Sequence, residues 1–347
     1  MVTMASMVLM LDHVLLFRDQ QRVKLDQYTN AVMVDATSST IAGITVMVPE
    51  VPRVRVATGL SRFHGEVILA SILTGTAFPA AKYVLGFIDP FTFGFLRVGI
   101  ASVFAAPIFL FHRSARIDVF LDRSVWSVGC LSALSISLLH LGVALTTASK
   151  TSLIISFNVV FVAIFSVGIL KDRLTRSQII AIGLSVVAIV LLTIGGDPLR
   201  LLRIEAVGDS LAFGSAAVSA YTVVQTKRLL VRFDYLNLGA AVLLIAALSL
   251  VVPQVIFGGP VALPSVGWGV LLWTAVVATL GTTLLWTSGL GHVNATVASL
   301  LFAVQVFVAA TLSIALLFES ISAAFLIGAV LSLAAVRLAV KDAVKDA

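Results

Sequence analysis

The chain has few charged residues for its length. Only 12% of its 347 residues are Asp, Glu, Lys or Arg, whereas about a quarter of a soluble domain is charged. Apolar residues make up 59% of the chain, and its mean hydropathy is +1.09. This composition excludes an ordinary soluble domain and predicts a protein embedded in a lipid bilayer.

Motifs of catalysis and cofactor binding are also missing. The sequence has no His-Glu-x-x-His zinc motif, no Gly-x-Ser-x-Gly nucleophile turn and no Gly-rich phosphate loop. A single cysteine, Cys130, excludes an intramolecular disulfide. We therefore expect no catalytic residue, no metal and no cofactor, and an intramembrane enzyme is the less favoured function.

Acidic residues are absent from the middle of the apolar runs. Glu66 and Asp209 stand where such runs begin, and Asp172 and Glu319 stand just past their ends. Proton-coupled export through an embedded carboxylate is therefore disfavoured. Uniport, substrate exchange, and coupling through His140 or a bound ion remain open.

The apolar runs are about 20 residues long, which is the length that a helix needs to cross a bilayer. The alternating pattern of membrane barrel strands is absent. Ten spans are predicted, five in each half of the chain, at residues 66–84, 91–111, 125–145, 151–170, 177–195, 209–227, 236–256, 268–290, 295–317 and 321–339.

The two halves repeat one another at an offset of 147 positions. Residues 126–191 align without a gap with residues 273–338, and Trp126 falls on Trp273. The polar residues agree as well, because Asn158 falls on Gln305. Matched tryptophans and amides at one fixed offset indicate a duplicated membrane unit.

An odd number of spans in each unit predicts that the second unit is inverted relative to the first. Charge supports this prediction, since basic residues concentrate on the cytoplasmic side of membrane proteins. With both termini inside, fifteen basic residues fall on the cytoplasmic side and four on the other. The inner set is Arg53, Arg55, Arg62, Arg113, Arg116, Arg123, Lys171, Arg173, Arg176, Lys227, Arg228, Arg232, Arg337, Lys341 and Lys345, and the outer set is Lys82, Lys150, Arg200 and Arg203.

We thus predict an all-α membrane protein of ten transmembrane helices in two inverted five-helix repeats. Residues 64–200 form the first repeat, and residues 201–347 form the second with a short basic tail. Residues 1–63 are mixed in polarity and are interpreted as a poorly ordered extension, with an interfacial helix as the alternative. The net charge of +6 reports membrane orientation rather than nucleic-acid binding, and the plasma membrane is the expected location.

Several landmarks resemble the EamA-type carriers of the drug/metabolite transporter superfamily. Pro90 followed by Arg97 resembles the start of the family's second span. The stretches 148–174 and 295–319 resemble its most recognisable segment, in which a Glu-Pro pair lies within a helix. Here Asn158 and Gln305 stand in place of that Glu, and a valine follows each. The resemblance implies a ten-helix carrier that moves a small metabolite by alternating access.

Arg97 is the first candidate for substrate binding. It lies about 10 Å along the second predicted span, where a central charge costs about 2.5 to 3.5 kcal/mol. Its planar cation suits a carboxylate or phosphate. The alternative is a structural arginine that pairs with helix-end carbonyls or extends to the membrane surface.

Five further residues are candidates for the same substrate site. An inverted repeat predicts that Asn158 and Gln305 face each other near the midplane, where amides suit a zwitterion; helix-to-helix hydrogen bonding is the alternative. His140 either lines the path or bonds a carbonyl. Tyr221 and Trp286 either contact the substrate or pack in the interior.

The predicted function is a secondary transporter of small organic metabolites, such as amino acids or related zwitterions and anions, by export or exchange. A channel or a non-transporting membrane scaffold of the same fold is the alternative. The expected partners are a small-molecule substrate and the lipid bilayer, without nucleic acid, and a homodimer is left open as the assembly.

Overall fold

The computed structural model describes residues 62–111, 117–171, 175–177, 179–184, 187, 204–319, 323, 326–328, 330–331, 334 and 338. Among these residues, eight helices are long and apolar enough to cross a membrane, and they coincide with predicted spans 1 to 4 and 6 to 9. The prediction of a helical membrane protein is confirmed. Spans 5 and 10 lie mostly outside the described residues, as does the segment before residue 62.

The helices are separated by short connections and are numbered here in chain order. They are α1 (Arg62–Val84), α2 (Pro90–Phe111), α3 (Arg123–Leu145), α4 (Ala148–Ile155), α5 (Asn158–Phe165), α6 (Ile204–Leu229), α7 (Tyr235–Phe257), α8 (Ser265–Leu272), α9 (Thr282–His292), α10 (Ala295–Phe302) and α11 (Gln305–Leu317). A π-helical stretch, Trp273–Gly281, joins α8 to α9, so these three segments form one span.

Polar caps fix where several of these helices begin. Asp122 accepts a hydrogen bond from the Ser124 N–H, and Thr147 accepts one from the Lys150 N–H. Such caps satisfy N–H groups that the first turn of a helix leaves without intrahelical partners. The same arrangement recurs where Asp89, Asp234 and Asn294 precede α2, α7 and α10.

The fourth and ninth spans are each broken at the same repeat position. The first is interrupted at residues 156–157, between α4 and α5, and the second at residues 303–304, between α10 and α11. At each break, successive N–H groups donate to the carbonyl three residues earlier, as in Val159 to Ser156 and Val306 to Ala303. The sequence predicted one span at each place and no break within it, and neither break contains a proline.

Small residues let helices of one half approach helices of the other. A Cβ on Gly142 of α3 would lie 3.0 Å from the Gly208 carbonyl oxygen of α6. A Cβ on Gly289 of α9 would lie 2.9 Å from the Phe63 carbonyl oxygen of α1. Lipid tails are as apolar as the helices, so the hydrophobic effect does not drive helices together within a membrane. Close approach of this kind stabilises their association through van der Waals packing.

A lysine fastens the first helix of each half to the end of the third. Lys82 donates to the carbonyl oxygens of Val143, Ala144 and Thr146 at 2.8, 3.1 and 2.5 Å. In the second half, Lys227 donates to three carbonyl oxygens at equivalent places, those of Leu290, Gly291 and Val293, at 2.6, 3.1 and 2.8 Å. Each ammonium therefore satisfies carbonyls that the end of a helix leaves unbonded.

Large apolar side chains are exposed along the outer faces of the bundle. Val255 is 77% exposed and Leu110 is 70% exposed. In water such faces would be costly, whereas lipid chains solvate them. The polar side chains that are buried inside the bundle therefore become the candidates for function.

Candidate substrate site

Arg97 of α2 lies among three helices in the interior of the bundle. Its Nε donates to Thr279 Oγ1 at 2.7 Å, and its Nη2 donates to the Ala278 carbonyl oxygen at 3.4 Å. Its Nη1 lies 3.2 Å from His140 Nε2 of α3. The structure thus brings together two residues that the sequence proposed separately, Arg97 and His140.

His140 is held as a neutral ring by this contact. A guanidinium donates and never accepts, so Nε2 must be the acceptor and the ring proton belongs on Nδ1. The ring packs on Phe93, with centroids 4.6 Å apart. His140 is 1% exposed, and its Nδ1 has no hydrogen-bond partner in the part of the chain that the structure describes. A buried donor without an acceptor costs free energy, so a hydrogen bond from Nδ1 to a ligand would be favourable.

The π-helical stretch before α9 places the acceptors that hold Arg97. Thr279 Oγ1 donates to the Thr274 carbonyl oxygen, five residues earlier, at 2.7 Å. A wider turn of this kind turns side chains away from their regular α-helical directions, and such turns are frequent at functional sites. Sequence reasoning missed Thr279, because it assumed a regular helical period through this span.

The charge of Arg97 has no counter-ion among the described residues, since its partners are a hydroxyl, a carbonyl and a neutral ring. The guanidinium has five N–H donors, and three of them are used. One N–H on each terminal nitrogen therefore has no acceptor among the residues that the structure describes. The side chain is half-buried.

Asn158 and Gln305 lie at the two helix breaks, where the broken spans cross. Leu153 and Val306 share one apolar cluster, and their repeat equivalents, Leu300 and Val159, share another. The breaks therefore stand at equivalent places in the crossing.

The two amides have different surroundings. Asn158 Nδ2 donates to Ser219 Oγ at 2.7 Å and to the Ala216 carbonyl oxygen at 3.3 Å, both on α6. Gln305 is 3% exposed, and its Oε1 has no partner in the described part of the chain. Asn158 therefore links helices in this structure, while Gln305 keeps an unsatisfied acceptor. Whether either contacts substrate stays a prediction.

The two aromatic candidates are packed against other side chains. Tyr221 meets Phe165 edge to face at 5.8 Å and accepts a hydrogen bond from Gln225 Nε2 at 2.8 Å. Trp286 lies 4.7 Å from the Phe302 ring. These contacts are the ones expected for interior packing, and a role in substrate contact remains a prediction for both residues.

Glu319 caps the start of α4 from the end of α11. Its carboxylate accepts from the Ala148 N–H at 2.9 Å, from the Ser149 N–H at 3.1 Å and from Ser149 Oγ at 2.6 Å. A carboxylate at a helix N-terminus is stabilised by the exposed N–H groups and by the helix dipole. Its repeat equivalent, Asp172, lies outside the described residues.

Two stretches of the chain, residues 66–194 and 206–341, match the model of the EamA-like transporter family. The chain belongs to this family. The resemblance seen in the sequence is thereby confirmed, and with it the identification of a multi-pass membrane protein whose family is named for transport.

Relatives of this EamA-family chain include two proteins named as transporters. It is 26% identical over 241 residues to the uncharacterized transporter YyaM of Bacillus subtilis strain 168, which covers 67% of this chain and 78% of YyaM. It is 26% identical over 167 residues to an uncharacterized transporter of Archaeoglobus fulgidus, which covers 45% of this chain and 59% of that protein. A solved crystal structure shares the fold with a TM-score of 0.65 at 18% identity, covering 82% of this chain and 99% of the other.

Proposed function

We propose that this EamA-family protein carries small organic metabolites that bear an anionic group, such as amino acids and related zwitterions. The observation that supports this proposal is Arg97, a half-buried cation that is held by His140 and Thr279 and has no carboxylate partner among the described residues. A charge inside the bilayer is costly unless it is paired. A substrate carboxylate completes the site with charge-assisted hydrogen bonds to the two remaining N–H groups.

The neutral neighbours of Arg97 suit a transporter rather than a permanent ion pair. A resident carboxylate would compete with the substrate for the guanidinium, whereas a hydroxyl and a neutral imidazole orient it without cancelling its charge. The substrate is then released when the helices that carry these groups move apart. We propose export or exchange by alternating access as the mechanism.

Transport by purified protein in liposomes tests this function. Ligands from a metabolite library that raise the melting temperature are then used in uptake and counterflow measurements. The variant Arg97→Gln is expected to lower uptake at least about 100-fold, because it removes two charge-assisted bonds to the substrate. Arg123→Gln, at an exposed arginine that begins α3, is the matched control and is expected to transport normally.

Three results would contradict this proposal at different levels. If wild-type protein moves no metabolite saturably, it is not a carrier. If the wild type transports and Arg97→Gln transports equally well, Arg97 does not bind the substrate. Saturable uptake without counterflow would instead favour a channel of the same fold.

We also propose ten helices in two inverted repeats, residues 64–200 and 201–347, with both termini in the cytoplasm. Contacts support the inversion. The end of α1 lies at the end of α3 through Lys82 and Val143, and the end of α3 lies at the start of α6 through Gly142 and Gly208. The first helix of one half therefore ends where the first helix of the other begins. Reporter fusions at residue 260 and at the C-terminus test the orientation, and a cytoplasmic signal from residue 260 would refute it.

A further inference from the structure

A cavity opens where α1, α3 and α11 end, away from Arg97. Its volume is about 470 Å³, within the usual range of small-molecule sites, and it is lined by Lys82, Leu145, Thr146, Thr147, Leu317 and Glu319. Thr146 follows His140 by six residues, which is about 9 Å along a helix. The cavity is therefore a place separate from the Arg97 cluster.

The two charged residues of this cavity, Lys82 and Glu319, have opposite signs and differ in the number of further hydrogen bonds that they can form. All three N–H groups of the Lys82 ammonium donate to backbone carbonyls, so its charge acts on a ligand without a direct hydrogen bond. The Glu319 carboxylate accepts three hydrogen bonds and has about four acceptor positions. One acceptor position is thus available to a ligand donor, and an ammonium group is favoured by the charge.

Thr146 supplies a hydroxyl next to the Lys82 ammonium. Its carbonyl oxygen accepts from Lys82 Nζ at 2.5 Å. The residue is 4% exposed, and its Oγ1 has no hydrogen-bond partner in the part of the chain that the structure describes. The hydroxyl is buried beside the cavity that the residue lines, and binding to it requires a rotation about the Cα–Cβ bond that turns it toward the cavity. A ligand carboxylate placed there accepts from the hydroxyl within the field of the lysine.

We call the contact of one lysine ammonium with three carbonyl oxygens at a helix end a lysine clamp. The second half of the chain shows that the Thr146 hydroxyl is not needed for this clamp. Lys227 makes the same three-carbonyl contact at the end of α9, and the residue equivalent to Thr146 there is Val293. A valine therefore supports the clamp as well as a threonine does. The hydroxyl of Thr146, which lines the cavity, is therefore not required by the lysine contact.

We propose that this cavity is a second ligand site, which binds a small zwitterion. The ammonium group of the ligand meets Glu319, its carboxylate meets Thr146 beside Lys82, and its apolar part packs on Leu145 and Leu317. Neither a simple anion nor a simple cation uses both charged walls. The site goes beyond the proposed transport function, because binding here does not depend on Arg97.

Calorimetric titration of the full chain in lipid nanodiscs tests this site. The probes are L-leucine, 4-methylpentanoate, which lacks the ammonium group, and L-leucinamide, which lacks the carboxylate. In Arg97→Gln protein, which lacks the carboxylate-binding cation of the other site, leucine is expected to bind saturably, and each of the other two is expected to bind at least about tenfold more weakly, since each loses one charged interaction. Absence of leucine binding, or equal affinity for all three probes, overturns the proposal.

Matched variants assign the binding to this cavity. Thr146→Val installs the residue of the other half and is expected to weaken leucine binding about fivefold, whereas Val293→Thr is expected to leave it unchanged. Lys82→Gln is expected to weaken binding, and Lys227→Gln, which removes the equivalent clamp, is not. Equal effects of the two members of either pair overturn the proposal.

A variant of the other site separates this proposal from the transport function. Arg97→Gln is expected to retain leucine binding at the cavity while losing transport. If it loses leucine binding as well, the leucine was bound at Arg97 and the cavity proposal is wrong. Should that variant not fold, the Thr146 and Val293 pair in otherwise wild-type protein gives the decision. Failure of wild-type transport with leucine binding intact overturns only the carrier function.

Discussion

Removal of the Thr279 hydroxyl is the most direct test of how Arg97 is oriented. Thr279 Oγ1 accepts from Arg97 Nε at 2.7 Å, and a hydrogen bond to a charged group contributes about 1.5 to 3 kcal/mol. Valine has nearly the shape of threonine but no hydroxyl, so Thr279→Val removes this bond and leaves Nε without its acceptor. At about 1.4 kcal/mol for each factor of ten, we expect the affinity for substrate to fall about 10- to 100-fold.

The assay is substrate uptake into liposomes over a range of concentrations. For Thr279→Val we expect KM to rise by that factor while the maximal rate changes little, because the defect lies in binding. Thr279→Ser, which retains a hydroxyl, is expected to restore KM. Thr274→Val is the matched control, since Thr274 is also buried in the π-helical stretch but its hydroxyl donates to the Leu271 carbonyl oxygen. A normal KM for Thr279→Val, or an equal rise for Thr274→Val, would refute the reasoning.

Two further predictions concern stability, measured as the melting temperature in detergent. Burial raises the pKa of Asp89, but hydrogen bonds from Thr92 and from the Phe91 and Gly259 N–H groups outweigh it, so the pKa lies below its ordinary value. The contribution of the Asp89 carboxylate to the free energy of unfolding is therefore complete above about pH 4 and is lost as the pH falls further. Asp89→Asn is expected to make the melting temperature depend less on pH in this acid range. Parallel curves for the variant and the wild type would contradict this. Gly75→Ala is expected to destabilise the protein by about 1 to 3 kcal/mol, since the added Cβ would lie 2.6 Å from a side-chain atom of α11. Gly99→Ala is the control, because a Cβ there meets nothing within 4 Å. Equal melting temperatures of the two variants would exclude the clash.

The repeat was the part of the fold that the sequence predicted best. An offset of 147 positions was read from a few matched residues. The two helix breaks lie at this offset from each other, and Lys82 and Lys227 lie close to it. The breaks themselves were not predicted, because Val159 and Val306 stand where the family resemblance implies a proline. Backbone N–H groups that bond three residues back produce the break without it.

The sequence proposed Arg97 and His140 as separate candidates, and it predicted neither their contact nor the part of Thr279. Arg97 was found because a cation within an apolar run is rare and costly. Its contacts with His140 and Thr279 depend on the rotation of three helices about their axes, which one sequence does not fix. The same limit left two interpretations of Asn158 open in the sequence, and its hydrogen bonds to α6 are of the helix-to-helix kind.

Each lysine contact joins two helices of the same half of the bundle. Lys82 ties α1 to α3 within the first half, and Lys227 ties α6 to α9 within the second. The bonds from α4 to Glu319, in contrast, join one half to the other. A motion that parts the two halves at this end leaves both lysines in place and breaks the Glu319 bonds. Opening at this end is therefore opposed by the Glu319 bonds together with two other contacts between the halves, the ion pair of Lys150 with Asp209 and the hydrogen bond from the Gly259 N–H to Asp89.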